Sequence, residues 1–158
     1  MCSDRVPITP DGFRKLQEDL NRLISVERPQ VIKMIAHARS LGDLTENAEY
    51  ETAKDRQGFI EARIKELKSK IARADVIDPE KLPIKDRVMF GVRVRLEDIE
   101  TGNTLTYQLV GPDESVPEKG LISVASPLGR ALLGKRVDEE ARVQTPGGIR
   151  EFVILEIE

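Results

Sequence analysis

Apolar residues in the first half of the chain recur every three or four positions. Phe13, Leu16, Leu20 and Leu23 form one series, and Val31, Ile32, Ile35 and Ala38 resume it after Pro29. That step lays side chains along one face of an α-helix. Thr9 suits the N-cap, Pro10 the first helical position, and Asp11 the positive end of the helix dipole. Pro29 lacks an N–H and crowds the carbonyl four residues back, which predicts a bend in one long helix, not a break. Ala53, Ile60, Ile64, Leu67, Ile71 and Ala74 trace a second seam, with Lys, Arg and Glu on the other faces. Each segment runs about 30 residues, so each helix is roughly 45 Å long. Two narrow stripes of matched length, joined by a short turn, bury each other best as an antiparallel coiled-coil hairpin over 1–78. Gly58 weakens the second helix by about 1 kcal/mol relative to Ala, which the seam must offset.

The helical pattern stops at Asp78-Pro79-Glu80-Lys81-Leu82-Pro83, and 79–83 read as a linker. Beyond it the period becomes two. Val88, Phe90, Val92, Val94 and Leu96 alternate with other residues, and Thr101-Gly102-Asn103 turns the chain into Leu105–Val110. Ser126-Pro127 resembles an N-cap with a first-turn proline, and Gly134 suits the position just past a short helix. Pro146-Gly147-Gly148 joins Ala141–Thr145 to Ile149–Glu156 as a final hairpin. Residues 84–158 are therefore expected to form a small antiparallel sheet packed on one helix, an α+β domain.

Composition narrows the classes. Aromatic residues make up only 4% and Trp is absent, so neither half has an aromatic-dominated core. No apolar run is long enough to cross a bilayer, and residues 1–10 lack a basic-then-apolar leader, which predicts a cytosolic protein with no membrane partner. Cys2, the single cysteine, has no internal disulfide partner. The net charge of −3 argues against a protein that neutralises many phosphates. It is unevenly divided. Through Asp78 there are 14 Lys/Arg and 14 Asp/Glu; from Pro79 onward there are 11 and 14. A neutral rod and an acidic second half point first to protein partners, with any nucleic-acid contact local.

Between the two helical segments stands Gly42-Asp43-Leu44-Thr45-Glu46-Asn47-Ala48-Glu49-Tyr50. This puts carboxylates at the turn of the hairpin, far from any core. Asp43 and Glu46, spaced D-x-x-E before a helix, fit a capping box in which each serves the other's backbone. The same spacing also lets two carboxylates share a cation, with Mg²⁺–oxygen distances of about 2.0–2.1 Å. Mg²⁺ wants six well-placed oxygens and dehydrates reluctantly, so two exposed carboxylates do not hold it alone. A partner would have to complete the shell, which excludes a self-sufficient hydrolase. Capping and partial ligation are compatible.

Arg39 and Lys54 flank this turn. Each is either ordinary solvated charge or a phosphate contact, needed because bare acids repel nucleic acid. Tyr50 either packs over the turn or stacks on a base. His37, the only histidine, has no companion for a zinc site. Ser123 and Ser126 have no local base, and Gly147-Gly148 is too short to cradle phosphate. No catalytic constellation stands out.

With these residues the chain resembles the bacterial Gre transcription elongation factors, the GreA type among them. Val6-Pro7-Ile8-Thr9 with Gly12 and Lys15-Leu16 is similar to the family's opening, and Ala38-Arg39 with 42–50 to its tip signature. Gln57-Gly58-Phe59 continues that signature, and Ala74-Asp75-Val76-Ile77-Asp78 closes the coiled coil in the family's manner. Ile122-Ser123-Val124, Ser126-Pro127-Leu128, Leu133-Gly134 and Thr145-Pro146-Gly147-Gly148 are similarly placed in the second half. The neutral coiled coil resembles the GreA type more than the basic GreB type.

The resemblance implies a two-domain factor for bacterial RNA polymerase, acting as a monomer. Its coiled coil would enter the secondary channel, and an FKBP-like C-terminal domain would dock at the entrance, with Leu121, Leu128 and Leu132 as candidate contacts. Asp43 and Glu46 would be the catalytic acids, holding Mg²⁺ jointly with the polymerase while it cuts its own backtracked transcript. Arg39, Lys54 and Tyr50 would contact the extruded RNA 3′ end. The factor would not itself be an enzyme. An FKBP-like domain also raises prolyl isomerisation, but Phe90, Tyr107 and Phe152 are too few to line a proline pocket. The remaining alternative is a channel-occupying regulator that promotes no cleavage.

Overall fold

A computed structural model describes residues 5–42, 47–81 and 86–158. The chain divides into two compact units. One takes the described chain up to Gly12 together with Ala74–Glu158, and the other is Phe13–Arg73. The chain thus contains a helical N-terminal region and a C-terminal mixed-sheet unit.

Helix α1 (Pro10–Arg22) leads through a π-helical turn (Leu23–Glu27) straight into α2 (Arg28–Ser40). The Arg28 N–H donates to the Leu23 carbonyl, five residues back, and Pro29 stands just beyond this widened turn. The helix is not broken at Pro29, as expected, and a π-helical turn precedes the proline. The proline has no N–H to give, and the extra residue in the turn relieves the regular ladder where its ring would crowd a carbonyl. Helix α3 (Ala48–Arg73) returns antiparallel to α2. Leu16, Leu23, Val31, Ile35 and Ala38 are buried on the outgoing side, and Ala53, Ile60, Ile64 and Leu67 on the returning one. Phe13, Leu20 and Ile71 are only half-buried. Ile32 departs from the expected stripe and is 52% exposed, because the helical step after Val31 turns it away from α3. Across the pair, Arg28 grips Glu61 with two hydrogen bonds of 2.9 and 2.8 Å, and Glu27 meets Arg56 at 3.7 Å.

The second seam ends one residue early. Ala74 leaves the helix and opens strand β2 (Ala74–Val76), which pairs in parallel with β1 (Val6–Ile8) in the register Val6↔Ala74 and Ile8↔Val76. The Ile77 N–H extends that ladder to the Ile8 carbonyl at 2.9 Å. Just after β1, Thr9 caps α1 by accepting from the Gly12 N–H at 3.1 Å. The same residue is held by Glu114, which closes the 3₁₀ turn Pro112–Glu114. One Glu114 oxygen accepts from the Thr9 hydroxyl; the other accepts from the N–H groups of Thr9 (2.7 Å) and Gly111 (2.9 Å). A Cβ on Gly12 would sit 2.1 Å from that carboxylate, and one on Gly111 would sit 1.8 Å from the Pro7 carbonyl oxygen. Of the expected linker, Pro79–Lys81 form a 3₁₀ turn, with the Pro79 ring against Gly91; Leu82 and Pro83 lie outside the described residues.

Five strands complete this unit: β3 (Arg93–Asp98), β4 (Thr104–Val110), β5 (Leu121–Ser123), β6 (Glu140–Thr145) and β7 (Gly148–Ile157), ordered β5-β4-β3-β7-β6. The sheet is mixed, correcting the antiparallel expectation. β5 runs parallel to β4 because the 111–120 excursion carries the chain back before it pairs. Val88 and Phe90 precede β3 instead of extending it. Helix α4 (Pro127–Leu132) starts at Ser126, whose hydroxyl accepts from the Gly129 N–H at 3.0 Å. Val94, Leu96, Leu109, Phe152, Ile154 and Leu132 centre the core. Leu132 is fully buried and unavailable for docking; Leu128 packs partly against the core and Leu121 is half-buried. Among the described residues no helix is long and apolar enough to cross a membrane.

Candidate functional site at the hairpin turn

Helix α2 closes with the N–H groups of Leu41 and Gly42 donating back to Ala38 and Arg39, at 3.2 and 3.3 Å. Gly42 has a φ of +110°, a conformation that favours glycine, so the chain leaves the helix here without strain. Asp43, Leu44, Thr45 and Glu46 lie outside the described residues.

The return helix begins at Ala48, and its cap is Asn47. The Asn47 Oδ1 accepts from the Tyr50 N–H at 3.1 Å, while its Nδ2 donates to the Ala38 carbonyl at 2.6 Å. One side chain therefore caps α3 and adds a second bond to the Ala38 carbonyl, which already accepts from the Leu41 N–H, at the end of α2. Sequence reasoning missed this residue. The signal was present, since Asn is as good an N-cap as Asp, but the acids before it drew the assignment to Asp43.

Arg39 and Tyr50 come together across the turn, the guanidinium carbon 6.0 Å from the ring centroid. That is at the outer edge of a cation–π contact. Lys54 follows Tyr50 by one helical turn; its Nζ donates to Gln57 Oε1 at 3.1 Å, leaving the ammonium exposed. Arg39, Tyr50 and Lys54 thus line one side of the hairpin end. His37 and Glu49 meet at 4.0 Å, both well exposed. Glu49 and Glu51 complement the positive end of the α3 dipole. Among the described residues no group of three or more His, Cys, Asp or Glu could hold a metal ion.

Fold and site together define a protein of two compact units, a helical hairpin with charged and aromatic side chains at its turn and a mixed sheet carrying one helix. Residues 6–76 match the family model for the transcription elongation factor N-terminal domain, and residues 83–158 the model for the GreA/GreB C-terminal domain. The chain belongs to the GreA/GreB family of transcription elongation factors. It is 52% identical to the transcription elongation factor GreA of Syntrophotalea carbinolica over 98% of both chains. It is 50% identical to the protein of the same name from Thermodesulfovibrio yellowstonii, again over 98% of both. The crystal structure of GreA factor homolog 1 (Gfh1) of Thermus thermophilus is 31% identical, covering 98% of this chain and 99% of that one, with a TM-score of 0.45.

Proposed function

We propose that this protein stimulates RNA polymerase to cleave its own backtracked transcript, with the hairpin entering the secondary channel turn first and rescuing arrested complexes. The observation that carries this reading is the division of labour at the turn. Asn47 caps α3, and the D-x-x-E pair of Asp43 and Glu46 just before it in the sequence offers two carboxylates for another task. Hard carboxylate oxygens suit Mg²⁺, and two of them fall short of its six ligands, so the pair fits an ion held jointly with a partner. Asp43 and Glu46 would hold it from this side, and when bound it supplies charge stabilisation at the attacking or leaving oxygen of the phosphodiester.

The remaining residues position the RNA. Arg39 offers a planar cation and Tyr50 a ring on which a base can stack. Lys54 adds a point charge one turn along, offsetting the repulsion between the acids and phosphate. The hairpin serves as a coiled-coil arm, the sheet unit as an FKBP-like docking domain, and the protein acts as a monomer that changes no bonds itself. The test mixes the protein, Mg²⁺ and a backtracked complex. RNA shortening there, and none with free RNA, supports the reading; inhibition of elongation without cleavage products would replace it with a channel-blocking regulator.

A further inference from the structure

Two neighbouring residues of α3 stand out among the described residues. Phe59 is 77% exposed, the most exposed of the large apolar side chains among the described residues. Gly58 stands in mid-helix, where alanine favours the helix more, and a Cβ built on it meets nothing within 4 Å. Among the described residues no close approach and no unusual backbone angle accounts for that glycine. A partner that covers Phe59 and comes close to the helix backbone accounts for both.

Phe59 borders an open groove of about 580 Å³ with Leu23 and Ile60. The charges on its rim decide what fits. Arg56 faces Glu27 at 3.7 Å and Arg63 bonds Glu66 at 2.9 Å, so each cation already has a carboxylate beside it. Asp55 also lines the groove, one turn before Phe59, and among the described residues no ion pair or hydrogen bond holds its side chain. Gly58, three residues on from Asp55, lies beside it on the helix surface. An apolar anchor beside an unpaired carboxylate suits a protein surface that offers an apolar recess next to a lysine or arginine.

We propose that the Asp55–Phe59 face of α3, with Gly58 at its edge, is a docking surface for the polymerase itself: Phe59 enters an apolar recess and Asp55 pairs with a neighbouring cation. This rests on the reading of the protein as a polymerase factor and adds a contact to it away from the turn.

The experiment measures binding of the full-length protein to core polymerase by competition, beside thermal unfolding of each variant. Phe59→Ala should weaken binding by about tenfold or more, as loss of a buried aromatic anchor does, with the unfolding midpoint unchanged. Asp55→Lys should weaken it also, and more so at low salt. Gly58→Gln should raise the midpoint yet weaken binding, a combination that no purely structural role produces. Asp43→Ala serves as the control, since it should bind like the parent while failing to stimulate cleavage. Parent-like binding by Phe59→Ala and Asp55→Lys overturns the docking surface and leaves the cleavage reading standing. Parent-like cleavage by Asp43→Ala overturns the cleavage reading and leaves the docking surface standing. A concentration-dependent dimer that Phe59→Ala dissolves, or RNA crosslinking lost in that variant with polymerase binding intact, assigns the face to another occupant and overturns the proposal.

Discussion

Asn47 joins the two helices of the hairpin by donating from Nδ2 to the Ala38 carbonyl at 2.6 Å, while the same amide's oxygen caps the helix that follows. Asp43 and Glu46 lie between these two residues in the sequence. Substitutions separate its two tasks. Asn47→Ala removes cap and bridge, and should destabilise the hairpin by about 1–2 kcal/mol. Asn47→Asp keeps an acceptor for the Tyr50 N–H but has no amide to give Ala38, and should cost less. Thermal unfolding of the two variants checks the order.

Glu114 holds the start of α1 from far along the chain, through both the N–H and the hydroxyl of Thr9 and the N–H of Gly111. Glu114→Ala leaves those donors without their acceptor and should lower stability by about 1–3 kcal/mol in denaturant unfolding. Gly12→Ala should act in the same direction, because its methyl would occupy the position of the carboxylate.

Acid sensitivity follows from Asp98 in the sheet unit. Arg150 donates to it at 2.5 Å, and the N–H groups of Glu100 and Thr101 add bonds at 3.0 and 3.3 Å. The Arg150 hydrogen bond, chiefly, holds this carboxyl below the usual aspartate range. Its folded pKa lies under its unfolded one, so its contribution is complete above the ordinary carboxylate range, about pH 4, and is lost as pH falls through the folded value. Arg28 lowers Glu61 in the same way, with the same sign. Unfolding free energy should be flat near neutrality and fall in acid, and Asp98→Asn should flatten part of that fall.

Much of this architecture was legible in the chain. The helical stripes, the Thr9 and Ser126 caps and the alternation through Val92, Val94 and Leu96 depend on neighbours a few residues apart, which a linear pattern records. What escaped depends on distant partners. β1 and β5 have three residues each, too short for any period, and exist only because β2 and β4 lie beside them. The mixed character of the sheet follows from β5. Glu114 looks like an ordinary loop acid until Thr9 is brought to it. At the candidate site, Arg39, Tyr50 and Lys54 are placed on one side of the hairpin end, whereas Asp43 and Glu46 lie outside the described residues.

The Arg39–Tyr50 contact distinguishes shape from charge. Arg39→Lys retains the charge but loses the planar group that can lie over the ring and fork to phosphate. If RNA is held there, Arg39→Lys should weaken cleavage stimulation several-fold, and Arg39→Ala more. Rates compared at two salt concentrations check this, since losing the charge should also reduce the salt dependence.

The central claim is that two carboxylates at the turn act inside the polymerase. Transcript cleavage in a purified backtracked complex, with Mg²⁺ and a saturating amount of each protein, tests it most directly. Asp43→Ala and Glu46→Ala should bind the polymerase yet leave cleavage at the rate it shows without the factor. Variants that shorten the RNA as fast as the parent would contradict it.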